Sequence, residues 1–207
     1  MMNNIQFSIG ILSWKGYDSL ANSLLSYQKN GLSKLTKNKF ICLPEYSEEG
    51  IKIAKKFGYK PILIENNIGI LGGFKKLAEA MPEGPLLLLE NDLELVESAK
   101  ITHNQLKKSL EFLKKYDLIQ IRLRSKSNPG DPFVALNKYR KYWSDGYLSK
   151  LLRLFRPLKA NKLIGTATYL LDNPEVRHPK KIEKLEEGFF LVHSSVMNWA
   201  NLAILVD

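Results

Sequence analysis

The chain contains 207 residues, of which 44% are hydrophobic, and it carries a formal net charge of +10 at pH 7. This length and apolar content support one domain with a sizeable core, and they exclude a disordered or fibrous chain. The single cysteine, Cys42, excludes an intrachain disulfide and a cysteine zinc site, and it favours a reducing compartment. Because no long apolar run and no basic leader are present, we expect a soluble cytoplasmic protein or one bound peripherally to a membrane.

Nearly all of the excess positive charge lies between residues 122 and 162. Eleven Lys and Arg residues in this segment face two acids, Asp131 and Asp145. A nucleic acid, an anionic membrane surface or an acidic substrate could each bind it, although a solvated face is the commonest role of such a segment. Between residues 148 and 156, apolar residues interleave with cations as in a basic amphipathic helix, which suggests peripheral membrane contact through residues 138–162.

Alternating and buried apolar runs in the first half of the chain predict strands that alternate with helices. The strands are predicted at residues 5–12, 40–43 and 61–64. The helices are predicted after an Asp18 cap, after a Ser47 cap and over residues 74–81. Three successive strand–helix units predict an α/β fold with a doubly wound, mostly parallel central sheet flanked by helices.

The second half of the chain is less regular. Periodicity predicts helices at residues 97–115 and 180–187, and strands at residues 118–123, 163–171 and 189–192. No repeat or linker interrupts the chain, so residues 1–207 are expected to form one domain.

The stretch from Pro85 to Glu94 combines a buried strand with an acidic end. Four leucines in a row are typical of a strand buried on both faces of a parallel sheet. Glu90, Asp92 and Glu94 share one face if the extended conformation continues. Hard oxygen ligands at this place suit Mg²⁺ or Mn²⁺, which would in turn hold a diphosphate. The alternative is that these acids merely cap the next helix.

Ligands of a doubly wound sheet bind beyond the carboxyl ends of its strands. The polar residues at that edge are Ser13 and Trp14, Glu45, Asn67 to Gly69, and Glu90 to Asp92. We therefore expect these groups to converge on one site.

A glycine-rich connection over residues 66–73 is predicted between the third strand and the next helix. It has neither the lysine and hydroxyl of a P-loop nor the glycine order of a dinucleotide-binding fold. Gly69, Gly72 and Gly73 would let the backbone approach a sugar or a phosphate closely. The alternative, which spacing alone favours, is a turn that needs only a positive φ.

The histidines and the late acids offer further candidates. His193 follows the last predicted strand, so its imidazole could complete a metal site with Asp92, or it could serve in packing. His103 is expected to face solvent on its helix, and His178 to belong to a turn. Glu187 is expected at an exposed helix end, from which its carboxylate could act as a base.

Taken together, these stretches resemble the nucleotide-sugar glycosyltransferases of the GT-A fold, in particular the family-2-like enzymes. Residues 9–14 are similar to the family's opening strand, and residues 65–74 to its Asn-x-Gly segment. Residues 88–92 lie where the family's DxD motif belongs, with Glu90 in place of the first aspartate, and residues 164–169 look like its acceptor-side strand. A narrower resemblance is to virus-encoded enzymes that build capsid glycans in chlorella viruses, which implies the cytoplasm of a host cell.

The resemblance implies a GT-A fold in which residues 1–95 bind the nucleotide sugar and residues 96–207 form the acceptor side. It implies transfer of a sugar from a nucleoside-diphosphate sugar, with a UDP-sugar as the expected donor, to a hydroxyl of a glycan, glycoprotein or glycolipid. Mn²⁺ or Mg²⁺ would neutralise the departing diphosphate. No nucleic acid partner is expected.

The residues and the resemblance together give a candidate site. The metal ligands would be Glu90, Asp92 and His193. Contacts with the nucleotide and the sugar would come from Ser13, Trp14, Glu45, Asn67, Gly69, Gly72, Gly73 and Asn91. Glu187 or Asp131 would take the acceptor proton, although the family's catalytic aspartate has no clear counterpart, so inversion or retention stays open.

Two other functions remain open. A nucleotidyltransferase also places a metal and a nucleotide at strand ends, although residues 13–16 are a poor version of the glycine-rich basic loop usual there. The alternative from another class is a non-catalytic protein that binds nucleic acid or glycan through residues 122–162.

Overall fold

The structure is a computed structural model, and it describes residues 6–124, 133–196 and 203–207. The chain divides into two compact units, one formed by residues 1–125 with 201–207 and the other by residues 126–200. Within the described ranges, no helix combines the length and the apolar composition needed to cross a membrane.

The described strands are β1 (Ser8–Leu12), β2 (Lys39–Pro44), β3 (Lys60–Ile64), β4 (Leu86–Glu90), β5 (Ile121–Leu123), β6 (Ile182–Lys184), β7 (Phe190–Val192) and β8 (Ala203–Val206). The described helices are α1 (Tyr17–Lys29), α2 (Glu48–Lys56), α3 (Gly69–Ala80), α4 (Ala99–Tyr116), α5 (Phe133–Trp143), α6 (Tyr147–Phe155), α7 (Pro157–Ile164), α8 (Ala167–Leu170) and α9 (Pro174–Arg177). Short 3₁₀ turns lie at Leu32–Lys34, Glu186–Gly188 and Ser194–Val196.

The first unit contains a six-stranded sheet in the order β3-β2-β1-β4-β8-β5. Strands β1 to β4 are parallel to one another, and β8 runs antiparallel to both β4 and β5. The predicted α/β fold with a mostly parallel central sheet flanked by helices is therefore confirmed, as are the strands predicted at residues 40–43 and 61–64. The strand β8, which completes the sheet, is missing from the sequence prediction.

The helix ends of the first unit follow local chemistry. Ser47 caps α2 as predicted, because its hydroxyl accepts from the Gly50 N–H at 3.3 Å. Gly58, with a φ of 74°, lies just after the C-terminal end of α2. The predicted Asp18 cap of α1 is wrong: Asp18 lies inside the first turn, and the left-handed Gly16 precedes the helix.

Helix α3 lies unusually close to β1. A Cβ at Gly73 would fall 2.4 Å from Leu12 Cδ1, and a Cβ at Gly10 would fall 2.7 Å from Met81 Cε. Because the two elements approach this closely, residues without side chains are needed at the contact. The prediction that residues 66–73 form a connection is therefore wrong from Gly69 onward, where α3 begins.

The core of the first unit is apolar and well enclosed. Its fully buried side chains include Ile9, Ile11, Leu20, Leu24, Tyr27, Ile41, Leu43, Leu77, Phe112 and Leu205. Cys42 is also fully buried, and burial raises the pKa of its thiol to about 11. It is therefore a small core residue rather than a nucleophile, as the sequence predicts.

The second unit contains helices α5 to α9 and the antiparallel hairpin of β6 and β7. The strand predicted at residues 163–171 is wrong, since α7 and α8 occupy most of it. Leu163, Ile164 and Ala167 enter the core of this unit at helical spacing. The helix predicted at residues 180–187 is also wrong, because β6 occupies its centre and pairs with β7.

Two histidines differ from their predicted settings. His178 follows α9, as a turn residue would, but it is buried, with Nε2 2.7 Å from the Tyr139 hydroxyl and its ring edge-on to Trp143. Burial, and then the charge of Arg177, lower the pKa of His178 to about 4. His103 does not simply face solvent, because its Nε2 is buried without a hydrogen-bond partner.

Candidate active site

The candidate site lies at the edge of the sheet where the parallel strands β1 to β4 end. Leu12, the last residue of β1, pairs with Cys42 of β2 and with Glu90 of β4. The Ser13 N–H then donates to the Cys42 carbonyl at 3.0 Å. The loops that follow β1, β2 and β4 therefore begin side by side, in agreement with the predicted convergence.

The loop after β1 is a tight turn with two left-handed residues. Lys15 has a φ of 57° and Gly16 a φ of 61°. Ser13 is buried, and its hydroxyl donates to the Lys15 carbonyl at 3.3 Å. The side-chain amide of Asn91 donates to the Lys15 and Gly16 carbonyls, at 3.3 Å each. A left-handed non-glycine residue costs about 1–2 kcal/mol, so these hydrogen bonds stabilise a strained turn.

Trp14 is an exposed aromatic residue of the site, with 50% of its surface accessible. Its Nε1 donates to Glu45 Oε2 at 2.6 Å, and Lys15 Nζ lies 3.4 Å from the same oxygen. Lys15 Nζ also lies 5.1 Å from the centroid of the indole ring. The hydrogen bond from Trp14, followed by that from Lys15, lowers the pKa of Glu45. The indole is thus held in one orientation and offers a surface on which a base or a sugar ring can stack.

Glu45 contributes to this arrangement through its backbone as well. It follows β2 with a φ of 49°, the second non-glycine residue in this loop cluster with a left-handed backbone. Strained residues of this kind concentrate at ligand sites, where the surrounding contacts hold them. The strain at Lys15 and Glu45 therefore marks the loops after β1 and β2 as candidates for ligand binding.

The predicted metal ligands Glu90 and Asp92 lie at the end of β4. The strand ends at Glu90 and residues 91–92 form a turn, so the extended conformation on which a shared face depends does not continue. Glu90 is half-buried and Asp92 is exposed. Burial, and then the negative charge of Asp92, raise the pKa of Glu90. The two carboxylates are close enough to repel each other, and a bound cation would relieve that repulsion.

Helix α1 fixes the backbone of the acidic segment through hydrogen bonds. The donors are the side chains of Ser23, Tyr27 and Asn30, and the acceptors are, in the same order, the carbonyls of Asn91, Leu93 and Leu95. Ser26 adds a fourth bond, since its hydroxyl accepts from the Leu95 N–H at 2.8 Å. Residues 92 and 94, between these anchors, and residue 96, just after the last one, are exposed. The acidic side chains therefore stay accessible while their backbone is held in place.

The carboxylate pair fits a cation that binds together with phosphate. In the part of the chain that the structure describes, no group of three or more His, Cys, Asp or Glu side chains is placed to hold a metal ion. Mg²⁺ sites that act on phosphates commonly use one or two carboxylates and complete their coordination with phosphate oxygens and water. Glu90 and Asp92 supply that number, and their mutual repulsion favours a positive charge.

The residues predicted after β3 lie at the same edge of the sheet, and they shape the start of α3. Asn67 Oδ1 accepts from the Gly69 N–H at 2.8 Å, and Gly69 has a φ of 68° with no atom within 4 Å of a hypothetical Cβ. Gly72 lies inside α3, where a Cβ would fall 2.9 Å from Ile68 Cβ. Close packing accounts for Gly72 and Gly73. Gly69 is different, because its positive φ favours glycine while the space beside it is open.

The remaining predicted residues belong to the second unit. Glu187 is exposed in the turn between β6 and β7, with a φ of 55°. His193 is also exposed, and its Nδ1 lies 2.8 Å from Ser195 Oγ, to which Lys181 Nζ donates at 2.8 Å. Asp131, the other predicted base, lies outside the described residues. The roles of these three residues stay predictions.

Sequence reasoning missed the support that the site receives. Lys15, which contacts both Trp14 and Glu45, is absent from the predicted site residues. Ser23 and Tyr27 are buried on α1 among leucines. Ser23, Tyr27 and Asn30 are spaced four and three residues apart on an otherwise apolar helix face. This regular spacing of polar residues is the signal that could have identified them.

No protein-family model matches this chain, and no curated protein matches it significantly.

Proposed function

We propose that this protein is a glycosyltransferase that moves a sugar from a nucleoside-diphosphate sugar to a hydroxyl of a glycan, glycoprotein or glycolipid, with a UDP-sugar as the expected donor. The observation that carries the proposal is the placement of Glu90 and Asp92 at the end of β4, in the same loop cluster as the oriented Trp14. A nucleoside diphosphate joins a flat base to two phosphates, so its site needs an aromatic surface near a cation site. The exposed indole of Trp14 and the carboxylates of Glu90 and Asp92 in this loop cluster support the proposal.

The chain's own residues suggest how the transfer would run. Glu90 and Asp92 would hold Mn²⁺ or Mg²⁺, which supplies positive charge to the departing diphosphate. Trp14 and Glu45 would orient the nucleoside. The acceptor oxygen bonds to the anomeric carbon, the bond from that carbon to the diphosphate oxygen breaks, and the diphosphate leaves with the electron pair. The acceptor proton passes to a general base.

Titration calorimetry with UDP-, GDP- and dTDP-sugars, each with and without Mn²⁺, tests the proposal. We expect one class of nucleotide sugar to bind only when Mn²⁺ is present. Asp92→Asn should weaken this binding by roughly 100-fold or more, because it removes one of two charged ligands. Glu94→Gln is the matched control, since it neutralises an exposed carboxylate two residues further along the same segment. Equal affinities for wild type and Asp92→Asn would contradict the proposal.

Product analysis separates the proposal from a nucleotidyltransferase. A glycosyltransferase releases UDP, whereas a nucleotidyltransferase forms or consumes pyrophosphate. Incubation with the bound nucleotide sugar and a panel of hydroxyl acceptors, including water, should therefore yield UDP without pyrophosphate. Pyrophosphate-dependent turnover would show that the same cation site serves the other reaction.

A further inference from the structure

Helix α6 presents its apolar face to solvent. Tyr147, Leu148, Leu154 and Phe155 are between 73% and 76% exposed. With the partly buried Leu151 they occupy positions i, i+1, i+4, i+7 and i+8, which lie on one side of a helix. Leu158, just beyond α6 at the start of α7, is 79% exposed. This part of the second unit therefore carries a continuous stripe of large apolar side chains.

The opposite face of α6 is polar and hydrogen-bonded to the second unit. Ser149 is buried, and its hydroxyl donates to the Lys141 carbonyl at 2.9 Å. The Arg153 guanidinium donates to the carbonyls of Tyr142 and Ser144, and it lies 5.0 Å from the Trp143 ring centroid. Turning α6 to bury its leucines would break these bonds and leave buried polar groups without partners. The outward direction of the apolar stripe is therefore fixed by the fold.

Cations lie close to this stripe in sequence. Residues 138–162 contain eight Lys and Arg residues and one acid, Asp145, and Asp145 is paired with Arg177. The exposed cations nearest the stripe in sequence are Lys150, Arg156, Lys159 and Lys162. Exposed leucines and a phenylalanine, a tyrosine at the margin and flanking Lys and Arg together form the pattern of helices that lie in the interface of anionic bilayers.

We propose that the apolar stripe, formed by the exposed side chains of α6 together with Leu158 at the start of α7, docks this protein on an anionic phospholipid bilayer. Leu148, Leu154 and Phe155 enter the boundary of the acyl chains, and the flanking cations contact lipid phosphates. A second copy of the chain fits less well, because a symmetric contact would bring the flanking cations of both copies together. A nucleic acid would use the cations but would leave the apolar stripe in water.

Vesicle flotation with the full chain tests the proposal. Phosphatidylcholine vesicles are compared with vesicles containing 30 mol% phosphatidylserine, at low and high salt. We expect binding to the anionic vesicles only, and weaker binding as salt rises. The absence of binding to anionic vesicles, or equal binding to both kinds, would overturn the proposal.

Two pairs of variants separate the apolar and the charged contributions. Leu148→Ser with Phe155→Ser should lower the affinity for anionic vesicles by roughly tenfold or more. Its control is Leu71→Ser with Ile119→Ser, which removes two exposed apolar side chains from the first unit. Lys150→Glu with Lys159→Glu should lower the affinity by a further roughly tenfold factor, and Lys52→Glu with Lys114→Glu is its control on the first unit.

Thermal unfolding of each variant shows whether the substitution has changed the fold, and little change is expected because all of these side chains are exposed. A serine pair that binds vesicles like wild type would overturn the proposal. Analytical ultracentrifugation adds a second readout. If the wild type is a dimer and the serine pair dissociates it, the stripe binds a second copy of the chain. If the protein binds duplex DNA tightly but does not bind vesicles, and the serine pair leaves DNA binding intact, the cations bind nucleic acid.

Discussion

Helices α1 and α6 both turn polar side chains toward the interior of their own unit, with opposite results at the surface. In α1, Ser23 and Tyr27 lie among buried leucines and bind the backbone of the segment after β4. In α6, Ser149 and Arg153 bind carbonyls of α5, and Leu148 and Leu154 remain exposed. In both helices the inward hydrogen bonds help to fix which side chains remain accessible.

The difference between the two helices shows that buried hydrogen bonds can indicate which exposed residues have a function. An outward carboxylate such as Asp92 costs little in water, so α1 needs its polar residues only to fix position. An outward leucine leaves apolar surface in water, which is unfavourable by about 25 cal/mol for each Å² that could have been buried. A fold that holds leucines outward with buried hydrogen bonds therefore indicates a partner, whereas exposed carboxylates alone do not.

The proposed cation site and the apolar stripe lie in different units, so a destabilising substitution in the first unit should affect them differently. Gly73→Ala places a Cβ 2.4 Å from Leu12 Cδ1 at the contact of α3 with β1. We expect the free energy of unfolding to fall by about 2–3 kcal/mol through overpacking, measured by urea titration. Gly146→Ala is the control, because the nearest atom to its Cβ would be 4.0 Å away.

At a protein concentration and temperature where Gly73→Ala is still folded, its binding to anionic vesicles should equal that of wild type. A loss of vesicle binding in folded Gly73→Ala would contradict the independence of the two surfaces.

Mild acid should disturb the second unit through His178. Its pKa is lowered to about 4 in the folded protein, whereas an unfolded histidine titrates near pH 6.5. Between these values the unfolded state binds the extra proton, so stability falls as the pH is lowered from 6.5 toward 4. Between pH 7 and pH 5 we expect a loss of about 2 kcal/mol in the free energy of unfolding, measured by urea titration at each pH.

His178→Gln removes the titrating group and keeps a polar side chain beside Tyr139. This variant should be less stable at pH 7, and its stability should change much less between pH 7 and pH 5 than that of wild type. An unchanged pH dependence would show that His178 is not the group that responds.

The smallest expected effect concerns the support of the acidic segment. Tyr27→Phe removes the hydrogen bond to the Leu93 carbonyl and keeps the buried ring. The free energy of unfolding should fall by about 1 kcal/mol. Mn²⁺-dependent binding of the nucleotide sugar should weaken by up to roughly tenfold, since the effect of such supporting residues on metal affinity is of this order or somewhat larger.

Tyr59→Phe is the control for Tyr27→Phe, because the Tyr59 hydroxyl is buried without a hydrogen-bond partner. It should leave binding of the nucleotide sugar unchanged. If both variants bind like wild type, α1 does not position the carboxylates.

The sequence predicted those parts of the fold that depend on short stretches. The leucine run of β4 and the Ser47 cap are local signals, and both are confirmed. Strand β8 depends on pairing with β4 and β5, which are distant in sequence, so its apolar residues carried no sign of their position. Thr168 and Tyr169 of α8 favour strands, but packing of Ala167 in the core of the second unit overrides that preference.

The sequence predicts which residues lie near the candidate site, but it does not predict the contacts between them. The rule that ligands bind beyond the carboxyl ends of parallel strands brought Trp14, Glu45 and Asn91 together before any contact was known. The rule gives no side-chain directions, so it could not show that Asn91 donates to the carbonyls of the turn after β1. Gly73 shows a similar limit, since a glycine required by a tight helix–strand contact and one required by a ligand look the same in a sequence.

The hydrogen bonds from α1 to the acidic segment also set its tolerance to changes in length. The donors Ser23, Tyr27 and Asn30 lie roughly one helical turn apart, a rise of about 5.4 Å, and they meet every second carbonyl of the segment. Inserting one residue between Asn91 and Leu95 would move the carbonyls away from their donors and would exchange the inward and outward positions beyond the insertion. Inserting two residues would again place a carbonyl opposite each donor. Chains that share this architecture should therefore vary in this segment by pairs of residues.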